Sequence, residues 1–183
     1  RAYRELSFPI QVISERDEAF YNYLSVRQGL RGTEQTMIII DIGGGSTEVI
    51  CGTREKLLDF ISLPVGSVKL TEMFVKSDPP SEGAISSLRD YVRSILELPF
   101  GKGEKVIIGT AGTITTLGSI SIGLAEWDKK QVHHMRIRRE RIDDIVNKLL
   151  TKTIEERIAI PGMEKGRADI ISQGIILLQE IMQ

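Results

Sequence analysis

The sequence has a single cysteine, Cys51, and only two histidines among its 183 residues. One cysteine cannot form a disulfide within the chain, and a structural zinc site normally takes about four Cys or His ligands. Cys51, His133 and His134 fall short of that number. We therefore expect neither a disulfide framework nor structural zinc, and a reducing, cytoplasmic setting is the default for such a chain.

The sequence also lacks long apolar runs and an excess of one charge, and it has few aromatic residues. No segment has the roughly 18 consecutive apolar residues of a membrane span. The 24 Lys and Arg face 25 Asp and Glu, so the net charge is -1 and no bulk field attracts nucleic acid or an acidic membrane. Trp127, Tyr21 and Tyr23 are too scattered for a base-stacking surface. We expect no membrane and no nucleic acid among the partners, and any anion site must be local.

The 183 residues are enough for one domain with its own core, because domains usually have about 100 to 200 residues. The first residue is Arg1 rather than Met, and the last residues, 168–183, are apolar and periodic with no helix-ending signal after them. Residues 1–183 are therefore predicted to be a single domain cut from a longer protein.

Strand and helix signals follow one another along the chain, which predicts an α/β domain with a mixed β-sheet flanked by helices. The predicted strands cover residues 8–14, 36–42, 46–52, 56–66 and 105–108. The predicted helices cover residues 18–30, 81–98, 110–125, 139–150, 153–159 and 163–182. The second and third strands form a hairpin through a glycine turn, and Ser14 with Asp17 is a capping signal for the first helix.

The glycine turn is the most informative segment. It contains three glycines and two hydroxyl residues: Gly43, Gly44, Gly45, Ser46 and Thr47. Glycine lets the backbone approach an anion closely, so that successive N–H groups can point at phosphate oxygens. Asp41 before the turn and Glu48 after it are suited to Mg²⁺, which typically uses one or two carboxylates and keeps its waters. The alternative is an ordinary hairpin turn with solvated polar residues.

A second turn repeats this pattern in the segment KVIIGTAGT, residues 105–113. A buried strand runs into Gly109, and a helix begins near Gly112 and Thr113. Exposed N–H groups at a helix N-terminus favour a phosphate, although glycine-threonine turns are also ordinary helix caps. One diphosphate or polyphosphate lying between the two turns would explain both.

These segments, in this order, resemble the second half of the exopolyphosphatase / guanosine pentaphosphate phosphohydrolase family. That family is a branch of the superfamily of actin, sugar and acetate kinases and heat-shock chaperone ATPases. The resemblance is carried by VISERDEAF, IDIGGGSTE, LPVGSVKLTEMF, GTAGT and PGMEKGRADIISQGIILLQEIM, which extend over nearly the whole chain. It implies a ribonuclease H-like (actin-like ATPase) domain.

The resemblance also implies roles for individual residues. Phosphate binding is implied for Gly43, Gly44, Gly45, Ser46, Thr47, Gly112 and Thr113. Asp41 and Glu48 are placed around Mg²⁺ and the attacking water. Glu18 becomes the catalytic base, because it precedes Ala as in the family pattern I-S-G-x-E-E-A, and a carboxylate near the terminal phosphorus can deprotonate water. The implied reaction releases terminal phosphate from inorganic polyphosphate or guanosine pentaphosphate.

Two points set this chain apart from the family pattern. Glu15 stands where the family has glycine, and Asp17 is the first acid of the pair. The family's first domain, with another phosphate loop and metal-binding acid, is expected to precede Arg1, so the isolated chain is predicted to be inactive; a homodimer is possible.

Two other functions stay open: a non-enzymatic polyphosphate or alarmone sensor, and the nucleotide-binding half of a kinase or ATPase. Glu18 is then only a first-turn acid favoured by the helix dipole.

Two charged segments have structural interpretations. Residues 129–141 hold eight basic side chains, counting both histidines, which could attract phosphates. Glu140, Asp143 and Asp144 lie within or directly after this segment, which favours a solvated loop and helix face. Arg167 and Asp169 are interpreted as a structural pair or a helix start.

Overall fold

A computed structural model describes residues 11–30, 35–100 and 105–183. The helices are α1 (Glu15–Gly29), α2 (Ser67–Phe74), α3 (Glu82–Ile95), α4 (Ala111–Ile122), α5 (Lys129–Val132), α6 (Arg139–Leu150), α7 (Ile154–Ile158) and α8 (Ile171–Ile181), with a 3-10 turn at Lys165–Arg167. The strands are β1 (Thr36–Ile42), β2 (Thr47–Gly52), β3 (Leu57–Leu63) and β4 (Lys105–Thr110).

The described strands form one mixed sheet in the order β3-β2-β1-β4. β1 pairs antiparallel with β2 and parallel with β4, so the predicted hairpin and the predicted mixed sheet are both confirmed. Asp41 is paired with Glu48 on one side and with Thr110 on the other. Because the carboxyl ends of parallel strands lie at the same edge of a sheet, the two predicted phosphate turns are neighbours there.

Helices cover both faces of the sheet. α1 packs on one face, where its buried Ala19 and Tyr23 meet Met37, Ile39 and Ile50. The larger core lies on the other face, around α8, and every residue of α8 is buried. α8 lies among α2, α3, α4 and α6, and its buried Gln179 and Glu180 are hydrogen-bonded to side chains of α3 and α6.

The first helix begins where its capping signal predicts. The Ser14 hydroxyl accepts a hydrogen bond from the Asp17 amide at 3.2 Å, which satisfies one of the free N–H groups of the first turn. α1 therefore starts at Glu15, three residues before the predicted start at residue 18. Within the described residues, no helix is long and apolar enough to cross a membrane.

Several sequence predictions differ from the structure. Residues 11–14 form no strand, and the rest of the predicted strand at residues 8–14 lies outside the described residues. The predicted helix at residues 163–182 is helical only from Ile171, because the preceding segment turns tightly through a 3-10 turn. The short helix α2 was not predicted, and it follows β3 where the strand prediction ran on to residue 66.

Candidate active site

The glycine loop between β1 and β2 rests on the N-terminus of α2. The amide of Ser67 donates to the Gly43 carbonyl at 3.0 Å, and the amides of Val68 and Lys69 donate to the Gly44 carbonyl at 3.0 and 3.1 Å. Three N–H groups that the helix itself cannot satisfy are thus bonded to the loop. The carbonyl groups of Gly43 and Gly44 consequently face α2.

Two amide groups of the same loop, those of Gly44 and Gly45, remain available. The Gly43 amide closes the turn by donating to the Ser46 carbonyl at 3.0 Å. Gly44 and Gly45 are exposed, and no acceptor among the described residues takes a hydrogen bond from their amides. Such amides can bind phosphate oxygens, as predicted for this turn.

Gly66 permits the close contact between loop and helix. A Cβ atom at this position would lie 2.6 Å from the Gly44 carbonyl carbon and 2.7 Å from its oxygen, well inside van der Waals contact. The segment LPVGSVK therefore supports the loop, a role that the sequence alone did not indicate.

The second turn joins β4 to α4 and contains a strained residue. Ala111 has a φ of 64°, a left-handed conformation that a residue with a Cβ atom adopts rarely and at a cost of about 1 kcal/mol or more. Thr110 makes no side-chain cap on α4, and its buried hydroxyl oxygen, beside Asp41, has no well-formed hydrogen bond with the described residues. The N-terminus of α4 is therefore uncapped by its own side chains.

Two predicted phosphate donors have another use in the structure. The buried Thr47 hydroxyl donates to the Val65 carbonyl at 2.8 Å, and the buried Thr113 hydroxyl donates to the Ile42 carbonyl at 3.3 Å. Both hydroxyls therefore hold the loops in place, and phosphate binding by Thr47 and Thr113 stays a prediction. Ser46 is half-buried, and a hydrogen bond from its side chain favours the ionised form of Glu48 and so lowers the pKa of that carboxyl.

The three predicted acids converge beside the glycine loop. Burial raises the pKa of Asp41 and of Glu48, and the negative charge of Glu18 raises both further. Asp41 accepts a hydrogen bond from Asn22 at 2.7 Å, and Glu48 accepts one from Ser62 at 3.2 Å. Glu18 itself is exposed in the first turn of α1. No cationic side chain contributes to the pKa shift of Asp41 or of Glu48.

The donor set at this point fits a hard cation. Asp41 and Glu48 offer carboxylate oxygens, and their charges have no cationic partner in the part of the chain described. Across residues 11–30, 35–100 and 105–183 there is no cluster of three or more His, Cys, Asp or Glu side chains arranged to hold a metal. One or two carboxylates with waters is the arrangement that Mg²⁺ typically uses, so the residues present fit Mg²⁺.

Arg167 is a site residue that the sequence interpretation missed. Its guanidinium lies directly over Gly112, in the place that a Cβ atom there would fill, at the N-terminus of α4. It pairs with Glu164 at 2.6 Å, not with Asp169 as predicted, and Glu164 also accepts a bond from Thr116. Only the fold brings residue 167 to residue 112, so no local spacing signals it.

The basic segment at residues 129–141 lies elsewhere. Arg141 donates to the Ser121 carbonyl at 3.1 Å, at the end of α4 opposite to the phosphate turn. Arg139 donates to the Met182 carbonyl at 2.9 Å, just after α8. These contacts favour the structural interpretation of the segment.

Neutralising Asp41 is expected to stabilise the fold. A carboxyl with a raised pKa holds its proton more readily in the folded than in the unfolded state, so its ionised form opposes folding at neutral pH. In Asp41→Asn we expect the free energy of unfolding to rise by about 1 kcal/mol at neutral pH without divalent cations. The gain should shrink as the pH falls through the raised pKa towards the ordinary value of 3.8.

Urea unfolding of both proteins over that pH range measures this difference. The introduced asparagine would keep an acceptor oxygen for Asn22, so the substitution changes the charge and little else. A stability difference that does not depend on pH would contradict the expectation.

Comparison with curated proteins gives relatives over most of the chain. Exopolyphosphatase 2 of Mycobacterium tuberculosis is 31% identical over 176 residues, which cover 93% of this chain and 54% of that protein. The bifunctional 3-dehydroquinate synthase/phosphatase of Fusobacterium nucleatum is 32% identical over 188 residues, which cover 100% of this chain and 28% of that protein. The chain spans about half the length, or less, of these relatives.

A solved structure gives the same result for the fold. The Ppx/GppA family member of Aquifex aeolicus matches with a TM-score of 0.86 and 32% identity, covering 100% of this chain and 59% of that one. The predicted ribonuclease H-like, actin-like ATPase type of domain is therefore confirmed. The model of the Ppx/GppA phosphatase family matches residues 1–183. Since sequence and fold agree over its whole length, the chain belongs to the Ppx/GppA phosphatase family.

Proposed function

We propose that the protein containing this chain hydrolyses terminal phosphoanhydride bonds of inorganic polyphosphate or guanosine pentaphosphate and releases phosphate. The observation that carries the proposal is the convergence of Glu18, Asp41 and Glu48 beside two backbone turns suited to phosphate. Two relatives of the chain, an exopolyphosphatase and a bifunctional synthase/phosphatase, support the reaction class.

The backbone of the chain binds the phosphate groups in this proposal. The exposed amides of Gly44 and Gly45 donate to phosphate oxygens from one side. The N-terminus of α4 at Gly112 donates from the other, and Arg167 adds a positive charge there. Two anchoring points for successive phosphates suit a polyanion better than a single phosphate ester.

The acids act on the water and on the charge of the phosphate. Glu18, exposed at the start of α1, accepts the proton of the attacking water and orients its oxygen towards the terminal phosphorus. Asp41 and Glu48 would hold Mg²⁺, which when bound neutralises charge on the phosphate oxygens. Ser62 holds the Glu48 carboxylate in place through its hydroxyl.

We also propose that a further domain completes the cleft. The chain covers 54% of the Mycobacterium tuberculosis relative and 59% of the Aquifex aeolicus chain, which supports a second part of the site outside these residues. The isolated chain of 183 residues is then expected to bind phosphate weakly and to release none.

The test is phosphate release by the full-length protein with Mg²⁺ and one compound at a time: polyphosphate, guanosine pentaphosphate or ATP. Hydrolysis of either of the first two, with ATP left intact, supports the proposal and identifies the substrate. Turnover of ATP alone would instead indicate a kinase or ATPase half-site. Binding of polyphosphate or guanosine pentaphosphate without hydrolysis would indicate a sensor and overturn the enzymatic proposal.

A further inference from the structure

Two side-chain hydrogen bonds tie α1 to the sheet within the described residues. The Tyr23 hydroxyl donates to the Thr53 carbonyl at 2.8 Å, just after β2. The Asn22 side-chain nitrogen donates to Asp41 Oδ2 at 2.7 Å. The first bond anchors the helix away from the candidate active site, whereas the second ends on one of its acids.

Asn22 and Glu18 lie on one face of α1. They are four residues apart, so one helical turn separates them and their side chains are neighbours. Ala19 is fully buried against the sheet, and Asn22 is half-buried. The bond from Asn22 therefore fixes Asp41 relative to the helical turn that carries Glu18.

The chemistry of the bond suits a carboxylate that must also bind a cation. Ionised Asp41 can only accept hydrogen bonds, so the amide nitrogen of Asn22 faces it. The bond engages one of the two carboxylate oxygens, Oδ2. A neutral amide supports the negative charge without competing with a cation, as a lysine or arginine would. Groups in this position orient the ligands of metal sites and commonly affect metal affinity by about 10- to 100-fold.

We propose that Asn22 is a positioning residue, whose amide orients the Asp41 carboxylate for a divalent cation and holds it in register with Glu18. The inference rests on the proposed function, since it requires a cation at Asp41. It assigns a role to a residue that the sequence motifs do not include.

The experiment uses the full-length protein and Mn²⁺ as a paramagnetic probe for the cation site. Asn22→Leu keeps the approximate size of the side chain and removes the donor. We expect Mn²⁺ binding, followed by electron paramagnetic resonance without substrate, to weaken about 10- to 100-fold. The Mg²⁺ concentration for half-maximal phosphate release should rise by a similar factor, while the KM for polyphosphate at saturating Mg²⁺ stays unchanged.

Tyr23→Phe is the matched control, because it removes the other bond that ties α1 to the sheet. We expect its Mn²⁺ affinity to equal that of the wild type. If Asn22→Leu fails to fold, Asn22→Ala carries the same expectations, since alanine favours a helix.

Each outcome decides a different point. Wild-type Mn²⁺ affinity in Asn22→Leu overturns the role of Asn22 and leaves the proposed function standing. Equal weakening in Asn22→Leu and Tyr23→Phe overturns it too, because a loosened α1 would then be the cause. Absence of Mn²⁺ binding in the wild type overturns the cation part of the proposed function and this inference with it.

Discussion

Glu18→Gln in the full-length protein is expected to lower phosphate release by about 10²- to 10⁴-fold and to leave polyphosphate binding largely intact. Glutamine keeps the size of the side chain but cannot take a proton from water. The change leaves the glycine loop proposed to bind phosphate in place, because the hydrogen bonds that hold this loop do not involve Glu18. Single-turnover phosphate release and equilibrium binding measure the two effects separately.

Glu15→Gln is the matched control for Glu18→Gln. Both acids lie in the first turn of α1, so each substitution removes a similar interaction with the helix dipole, about 0.5 kcal/mol. We expect Glu15→Gln to keep its turnover. If Glu18→Gln retained activity, or if both variants lost it equally, Glu18 would be a helix-dipole acid and not the base.

Gly66→Ala is expected to displace the glycine loop and to lower kcat/KM by about 100-fold. The new methyl group would overlap the backbone of Gly44, which is held by the amides of α2 and cannot move aside as a side chain would. Gly66 itself has an extended φ of -147°, so the effect comes from overlap and not from backbone strain. Overpacking of this kind should also lower the free energy of unfolding by about 2 kcal/mol.

Gly83→Ala serves as the control for Gly66→Ala. Nothing lies within 4 Å of a Cβ atom at Gly83, in the first turn of α3. We expect unchanged hydrolysis and a gain of up to about 1 kcal/mol in the free energy of unfolding, since alanine is the better helix former. Wild-type kcat/KM in Gly66→Ala would show that the loop does not depend on this contact.

The parts of the fold that could be predicted from sequence have local causes. The capping bond of Ser14 to Asp17 spans three residues, and the hairpin follows from two apolar β-branched runs around a glycine turn. α2 could not be predicted in this way, because its first turn is held by the carbonyls of Gly43 and Gly44, which precede it in the chain by more than twenty residues.

The candidate site likewise combines residues that could be predicted from local sequence with contacts that could not. Asp41 and Glu48 were predicted because they flank the glycine turn, and the register of β1 and β2 places them opposite one another. Thr47 was predicted as a hydroxyl donor because it lies in the glycine turn, and phosphate binding by Thr113 was implied by the family resemblance. The fold puts backbone carbonyls beside both, and these carbonyls engage them.

The sequence by itself determined the hairpin, the glycine-containing turns after β1 and β4 and the acids beside the first of them, because strand periodicity, glycine and charge are properties of short segments. Only the tertiary structure decided that Asn22 reaches Asp41 and that Arg167 covers Gly112. Those contacts join segments far apart in the chain. Their formation depends on how the helices pack on the sheet, which no local pattern encodes.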